Sequence, residues 1–134
     1  MSEPVLIRNY DIIHNLFEEP DLLKDFYKLS KREINIIFSL CNKLNSFNPY
    51  IEINTKEFTE SRRVVYRALD KLENEYIISI VKRPKNQFQT LQVYFTVDFI
   101  KKVCGKDYAK TYKIWFHQQK AYKESFNKNK NSKK

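Results

Sequence analysis

The sequence predicts one α+β domain that is mainly helical and carries a small antiparallel sheet. Most segments repeat apolar residues every three or four positions, as helices do, whereas two segments within 78–97 alternate apolar and polar residues, as strands do. A chain of 134 residues, 42% of them hydrophobic, is long enough for one core but too short for two. We therefore expect a single domain over 1–126 and a basic, disordered tail over 127–134.

Two short apolar segments come first along the chain. Residues 9–17 have helical spacing, with these apolar positions: Tyr10, Ile13 and Phe17, and beside them Ile12 and Leu16. Pro20 follows and should end that helix. Asp21 can then cap a second short helical segment, for which an extended conformation of 26–29 is the alternative.

Ser30 and Glu33 have the spacing of a capping box, in which each side chain bonds to the backbone of the other residue. This predicts a helix that continues to the polar cluster 45–49. Its apolar residues recur at helical spacing: Ile34, Ile37, Phe38, Cys41 and Leu44.

The next elements are short. Ile51 and Ile53 flank a polar residue and predict a strand of three residues. Asn54 or Thr55 can cap a one-turn helix, and Ser61 can cap a longer helix that runs to about residue 75.

The alternating segments 78–83 and 91–97 are separated by a turn at 84–87 and predict a β-hairpin with a basic tip. A helix over 98–104 and a long helix from Asp107 to about residue 126 should follow.

The helix that begins at Ser61 is predicted to have two contrasting faces. At about 100° per residue, one arc is apolar: Val64, Val65, Ala68, Leu69 and Leu72. The other arc is polar and largely basic: Arg62, Arg63, Tyr66, Arg67 and Asp70. A helix fits the major groove of DNA, where its N-terminal residues reach base edges, so these cations are suitably placed. The alternative is a solvated outer face on which Arg67 pairs with Asp70, or Lys71 with Glu75.

Residues 61–77, SRRVVYRALDKLENEYI, resemble the recognition helix and following strand of winged helix-turn-helix DNA-binding regulators. The resemblance implies a winged helix-turn-helix core over about 30–97, with a two- to three-stranded antiparallel wing, extra N-terminal helices and a long C-terminal helix. It places the helix 61–75 in the major groove and the wing 82–89 on the DNA backbone or minor groove. Only about six residues separate Thr55 from Ser61, so the core of the motif is compressed: either its second helix is a single turn, or the short strand takes part of its role.

The expected DNA-binding residues lie on this helix and on the tip of the hairpin. They are Ser61, Arg62, Arg63, Tyr66, Arg67, Lys82, Arg83, Lys85, Asn86 and Gln87.

The distribution of charge also favours a polyanionic partner. The net charge is +9, composed of 6 Lys/Arg against 8 Asp/Glu in 1–53, 8 against 5 in 54–97, and 11 against 3 in 98–134. Such an excess of cations suits nucleic acid first and an anionic surface second. A basic tail that only keeps the protein in solution is the alternative.

Aromatic residues of the C-terminal helix follow the spacing of a coiled coil. At intervals of 4, 3, 4, 3 and 4 residues lie Tyr108, Tyr112, Trp115, Gln119, Tyr122 and Phe126. We expect the first five to form a homodimer seam, because two-fold oligomers are the commonest kind. Packing of the stripe on the N-terminal helices is the alternative.

Several classes of function are not expected. Cys41 and Cys104 are isolated from each other and from His14 and His117, which predicts core thiols in a reduced compartment, without a disulfide and without a metal site. A single glycine leaves no room for a glycine-rich phosphate loop. No catalytic constellation is recognisable, so we expect no enzyme activity and no cofactor. No signal peptide or membrane span is apparent, which predicts a cytoplasmic protein without membrane contact.

Three functional hypotheses follow. The first is a site-specific double-stranded DNA-binding protein, acting as a transcriptional regulator. The second keeps the DNA but assigns a replication-initiation or DNA-segregation role on a plasmid or phage, with binding to repeat arrays. The third is a winged-helix protein-interaction module, whose basic C-terminal helix meets an acidic partner or surface.

Overall fold

In the computed structural model the described residues are 7–19, 21–58, 61–82 and 90–132, and side chains are described there except at 55, 82 and 122–132. The elements in chain order are α1 (Asn9–Glu18), α2 (Lys31–Lys43), β1 (Ile51–Ile53), α3 (Arg62–Asn74), β2 (Ile78–Lys82), β3 (Leu91–Phe95), α4 (Val97–Cys104) and α5 (Lys106–Ser132). A π-helical turn, Leu22–Phe26, precedes α2, and a 3-10 turn, Thr55–Glu57, precedes α3. The described chain is therefore mainly helical with a small sheet, as predicted.

The three strands form one antiparallel sheet in the order β1-β3-β2. Ile51 of β1 lies opposite Val93, and Ile78 of β2 lies opposite Phe95. The register of β2 shifts after Ile80. Such an irregularity increases the local twist and bends the strand.

One hydrophobic core lies between the sheet and the helices. Along β3 the buried positions alternate with half-buried ones, so one face of the sheet carries the core. The helices α2 and α3 pack on each other, and α1 packs on α2 and α4. The largest fully buried side chains are Trp115, Tyr112, Phe95 and Phe99.

Side-chain caps fix the starts of α2 and α4. The Ser30 Oγ accepts a hydrogen bond from the Glu33 N–H at 3.3 Å, and a Glu33 carboxylate oxygen accepts one from the Ser30 N–H at 2.7 Å, which confirms the predicted capping box. The Thr96 Oγ accepts from the Phe99 N–H at 3.1 Å and starts α4 one residue before the expected position. A cap of this kind stabilises a helix by about 1 kcal/mol.

The C-terminal end of α3 holds a tyrosine in the left-handed region. Tyr76 has φ 61°, and its N–H donates to the Glu73 carbonyl at 3.0 Å. The next N–H, that of Ile77, donates to the Leu72 carbonyl at 3.0 Å. This is the Schellman pattern, in which glycine usually occupies the position taken here by Tyr76.

The predicted helix α1 is confirmed, but its buried face is not the one expected. Ile12 and Leu16 are buried, whereas Tyr10 is 65% exposed and Phe17 is 70% exposed. The helix rests on α2 and α4 with its Ile12 side, and the Asn15 amide donates to the Cys104 sulfur at 3.6 Å. Helical spacing alone did not distinguish between the two apolar sides.

The segment after α1 is helical, as the first of the two sequence alternatives held, but the Asp21 side chain does not cap it. It forms a π-helical turn, in which the Tyr27 N–H donates to the Leu22 carbonyl at 3.1 Å. Leu23 is buried, whereas Phe26 is 57% exposed. The wider turn thus inserts Leu23 into the core without continuing as an α-helix.

The aromatic stripe on α5 belongs to the protein's own core, which corrects the predicted dimer seam. Tyr112 and Trp115 are fully buried. The Tyr112 hydroxyl donates to the Phe95 carbonyl at 2.6 Å and the Trp115 indole N–H donates to the Ser46 carbonyl at 2.7 Å. These two rings are therefore not available to a second copy.

Tyr108, another member of the predicted seam, also makes its contact within the single chain. The Tyr108 hydroxyl donates to an Asp11 carboxylate oxygen at 2.9 Å, so part of the stripe packs on the N-terminal helix, as the alternative held. Gln119 is half-buried, and the Tyr122 side chain lies outside the described side chains. The helix continues to Ser132, past the expected end near residue 126 and into the segment expected to be disordered, because no proline or glycine interrupts it.

No helix among the described residues is both long enough and apolar enough to cross a bilayer.

Candidate nucleic-acid interface

Helix α3 has the two contrasting faces that its sequence predicts. Its buried side chains are Val65, Ala68, Leu69 and Leu72. Val64, also assigned to the apolar arc, is half-buried, and Arg62, Arg63 and Arg67 are exposed. The core therefore fixes the rotation of α3 about its own axis and directs the three guanidinium groups outward.

The N-terminus of α3 is fixed by Ser61. The Ser61 Oγ accepts a hydrogen bond from the Val64 N–H at 3.4 Å, which confirms the predicted cap. The Arg62 guanidinium carbon lies 5.4 Å from the centroid of the half-buried Tyr66 ring, within the range of a cation–π contact. Tyr66 thus orders Arg62 along the helix surface.

Arg63 and Arg67 are not engaged by neighbouring groups that the structure describes. Neither guanidinium forms an ion pair or a side-chain hydrogen bond with another described residue. They lie four residues apart, a rise of about 6 Å at 1.5 Å per residue. Two cations at this spacing lie on neighbouring turns of one face of the helix.

The alternative pairing of Lys71 with Glu75 is not observed. The Lys71 ammonium lies 3.8 Å from a Glu33 carboxylate oxygen and 3.2 Å from the Lys28 carbonyl. Lys71 therefore joins α3 to the start of α2 and is less exposed to an external partner than the arginines.

A shallow cleft of about 190 Å³ separates the start of α2 from the basic face of α3. Its lining residues are Ser30, Arg32, Glu33, Val64, Arg67, Ala68 and Lys71. Arg32 is thereby brought to the same surface as Arg67, although it is not among the site residues predicted from the sequence. The sequence shows Arg32 as a cation in the first turn of a capped helix. Its position relative to α3 is defined only by the tertiary fold.

The hairpin that follows α3 is described at its base. Arg83, Lys85, Asn86 and Gln87 lie outside the described residues, and only the backbone of Lys82 is described. A Glu73 carboxylate oxygen accepts a hydrogen bond from the Ile80 N–H at 2.9 Å and so joins α3 directly to β2. The base of the hairpin is thus held against the C-terminal half of α3.

The two cysteines are both free, and their thiols are protonated at neutral pH. Burial raises the pKa of the Cys41 thiol to about 12. Burial, together with the nearby Asp11 carboxylate, raises the pKa of the Cys104 thiol to about 11. Among the described residues no cluster of three or more His, Cys, Asp or Glu side chains is arranged to hold a metal ion.

Comparisons with protein-family models, with curated proteins and with solved structures find no match to this chain.

Proposed function

We propose that this chain binds double-stranded DNA and that α3 is its recognition helix, inserted in the major groove. The observation that carries the proposal is the division of α3: one face is locked into the core, and the other presents Arg62, Arg63 and Arg67. Basic side chains in the first two turns of a docked helix are placed to reach base edges.

The order of the elements supports a winged helix-turn-helix arrangement. The run α2, β1, 3-10 turn, α3, β2, β3 is the one implied by the resemblance of 61–77 to that family. In this arrangement the 3-10 turn Thr55–Glu57 takes the place of a longer second helix, and the β2–β3 hairpin is the wing.

The chemistry of the outward side chains suits a nucleic acid. Arginine can form bidentate hydrogen bonds to guanine, and it can also pair with phosphate oxygens. Because Arg63 and Arg67 have no ion pair with another described residue, DNA would not have to displace such a partner before contacting them. An uncommitted cation is worth more to an external partner than one already paired within the protein.

In this proposal specificity and affinity come from different parts of the chain. The arginines of α3 select the DNA sequence. The lysines of 98–134, a segment with 11 Lys/Arg and 3 Asp/Glu, add affinity for phosphates that does not depend on the DNA sequence. The proposed biological role is that of a site-specific transcriptional regulator.

The experiment is selection of bound duplexes from a random pool, followed by fluorescence anisotropy on the selected sequence. Arg63→Ala/Arg67→Ala should weaken binding at least about thirtyfold, since each lost base or phosphate contact costs about 1–3 kcal/mol. Lys106→Ala/Lys110→Ala removes the same charge from exposed positions on α5 and is the matched control. It should weaken selected and random duplexes to the same modest extent.

Two outcomes would contradict the proposal. If the affinity did not fall with salt, phosphate contacts would be absent, because each should contribute about −0.9 to the slope of log K against log salt. If both double variants weakened binding equally and no sequence were enriched, the chain would bind DNA through its positive charge alone, and α3 would not be a recognition helix. An enriched array of repeats would instead favour the replication or segregation role.

A further inference from the structure

An open cleft of about 450 Å³ lies between the end of α3, the π-helical turn Leu22–Phe26 and the first turns of α4. Three aromatic rings wall it, those of Phe26, Tyr27 and Tyr76. The volume is in the range of small-molecule sites, which are walled mainly by apolar and aromatic side chains and hold a few polar groups. None of these three rings borders the cleft beside the basic face of α3.

The Tyr27 side chain presents an unpaired hydroxyl to this cleft. Tyr27 is only 8% exposed, and its ring packs edge-on against Phe26 and beside Phe99. Its hydroxyl forms no hydrogen bond with any residue that the structure describes, yet none of the described side chains has a polar atom that is both buried and unpaired. The hydroxyl is therefore open to the cleft that Tyr27 lines, where a ligand can bond to it.

Two carboxylates lie beside that hydroxyl. Burial first, and then the negative charges of Asp98 and Glu75, raise the pKa of the Tyr27 hydroxyl. Both acids are exposed, both line the cleft, and neither forms an ion pair with a described residue. A hydroxyl oxygen and two carboxylates together suit an ammonium group, which can donate three hydrogen bonds.

Two lysines of α4 line the same cleft. Lys101 and Lys102 are exposed, and neither forms an ion pair with a described residue. The Lys102 nitrogen lies 4.4 Å from the centroid of the Phe26 ring, at a cation–π distance. These ammonium groups suit a carboxylate. Because the cleft holds two groups of each sign, a ligand with a single charge is attracted by one pair and repelled by the other.

The Tyr76 ring is available to a ligand. It is 71% exposed, and it makes no aromatic or cation–π contact with another described residue. Its backbone lies in the left-handed region at φ 61°, where glycine is less strained. Strain of this kind persists at ligand sites, where the side chain that causes it also serves the ligand.

We propose that this cleft binds a free α-amino acid with an aromatic side chain. The ammonium group of the ligand lies at the Tyr27 hydroxyl and the two carboxylates beside it. The ligand's carboxylate lies at the two lysines of α4, and its ring packs against Tyr76. This site is independent of the proposed DNA binding.

Titration of the full chain with three probes, followed by amide chemical shifts, tests the class of ligand. L-phenylalanine carries both charges, L-phenylalaninamide lacks the carboxylate, and 3-phenylpropionate lacks the ammonium group. A ligand of this size in an open cleft should bind with a Kd of about 10 µM to 1 mM and shift the amide signals of Tyr27, Tyr76 and Asp98. Each analogue should bind at least about tenfold more weakly, because it leaves one pair of charges in the cleft without a partner.

Substitutions test the position of the site. Tyr27→Phe removes only the hydroxyl and Asp98→Asn removes one charge, and each should raise the Kd for L-phenylalanine at least about threefold. Asp107→Asn, which removes an exposed carboxylate from the first turn of α5, is the matched control and should leave this Kd unchanged. Tyr27→Phe should also leave the urea midpoint unchanged, since its hydroxyl has no partner in the described fold. Tyr76→Gly should weaken the ligand although it relieves backbone strain, so unfolding would not account for the loss.

Three results would each overturn the inference. The first is the absence of any shift at about 10 mM L-phenylalanine, well above the expected Kd. The second is equal affinity for either analogue, which would mean that the cleft recognises one charge and not both. The third is unchanged binding in both Tyr27→Phe and Asp98→Asn, which would place the ligand elsewhere. The titration contains no DNA, so a chain that binds the amino acid but no duplex contradicts only the proposed function, and the reverse contradicts only this inference.

Discussion

Replacement of Trp115 by alanine tests whether the aromatic stripe of α5 belongs to the core of a single chain. Trp115 is fully buried, and its indole N–H donates to the Ser46 carbonyl at 2.7 Å. Truncation of a buried tryptophan to alanine costs about 3–5 kcal/mol through lost burial and the cavity that remains. Domains are stable by about 5–15 kcal/mol, so Trp115→Ala should remove about a fifth or more of the unfolding free energy.

Urea unfolding followed by far-ultraviolet circular dichroism measures this loss. Trp115→Phe keeps an aromatic ring but leaves the Ser46 carbonyl without its donor, and should cost about 1–3 kcal/mol. Gln119→Ala, one turn further along α5 and only half-buried, is the matched control. It should change the unfolding free energy by no more than about 0.5 kcal/mol.

The dependence on protein concentration decides between the two positions proposed for this ring. Replacement of a core residue lowers the unfolding free energy by the same amount at every protein concentration. A residue in a dimer seam stabilises only the associated form, so its replacement would alter the concentration dependence and leave the dilute protein unchanged. Unfolding of Trp115→Ala that matches the wild type at low micromolar concentration would refute the placement in the core.

Three further outcomes are expected. Tyr112→Phe leaves the Phe95 carbonyl without its buried donor and should cost about 1–3 kcal/mol in urea unfolding. Tyr76→Gly should raise the unfolding free energy by about 0.5–1 kcal/mol, because glycine avoids the strain of φ 61° at a ring that is 71% exposed, whereas Tyr76→Ala should give no such gain. The melting temperature should fall as the pH rises above 9, because the unfolded chain loses its thiol protons before the folded one, in which the pKa of Cys41 is about 12 and that of Cys104 about 11. Thermal melts at pH 8 and about 10.5 measure this fall, and Cys104→Ala should make it smaller.

The features that sequence predicted best are those set by neighbouring residues. The cap at Ser30 needs only Glu33, and the cap at Ser61 needs only the backbone of Val64. The two faces of α3 follow from the helical period alone, which is why the arginines of the candidate interface were identified.

Features that depend on distant contacts were harder to predict. The spacing of Tyr112 and Trp115 shows that they share a face, but it does not show whether the same chain or another covers that face. On α1 both sides are apolar, so the choice of Ile12 over Tyr10 depends on how α2 and α4 approach. The position of Arg32 beside α3 likewise depends on the packing of α2 against α3, which the local sequence does not show.

The left-handed turn that ends α3 was not predicted from the sequence. Glycine would have indicated the left-handed residue that ends α3, but Tyr76 occupies that position. The strained backbone is supported by two hydrogen bonds, from Tyr76 to Glu73 and from Ile77 to Leu72, which a reading of residue propensities does not include.

The hydrogen bond from Tyr108 to Asp11 joins residues 97 positions apart and has a consequence for synthesis on the ribosome. At about 5–20 residues per second, translation produces α1 roughly 5–20 s before its partner on α5. During that interval the inward side of α1, with Ile12 and Leu16, has only part of its final covering. Helix α1 therefore reaches its final packing only after Tyr108 has left the exit tunnel, and nascent chains should expose its inward side until then.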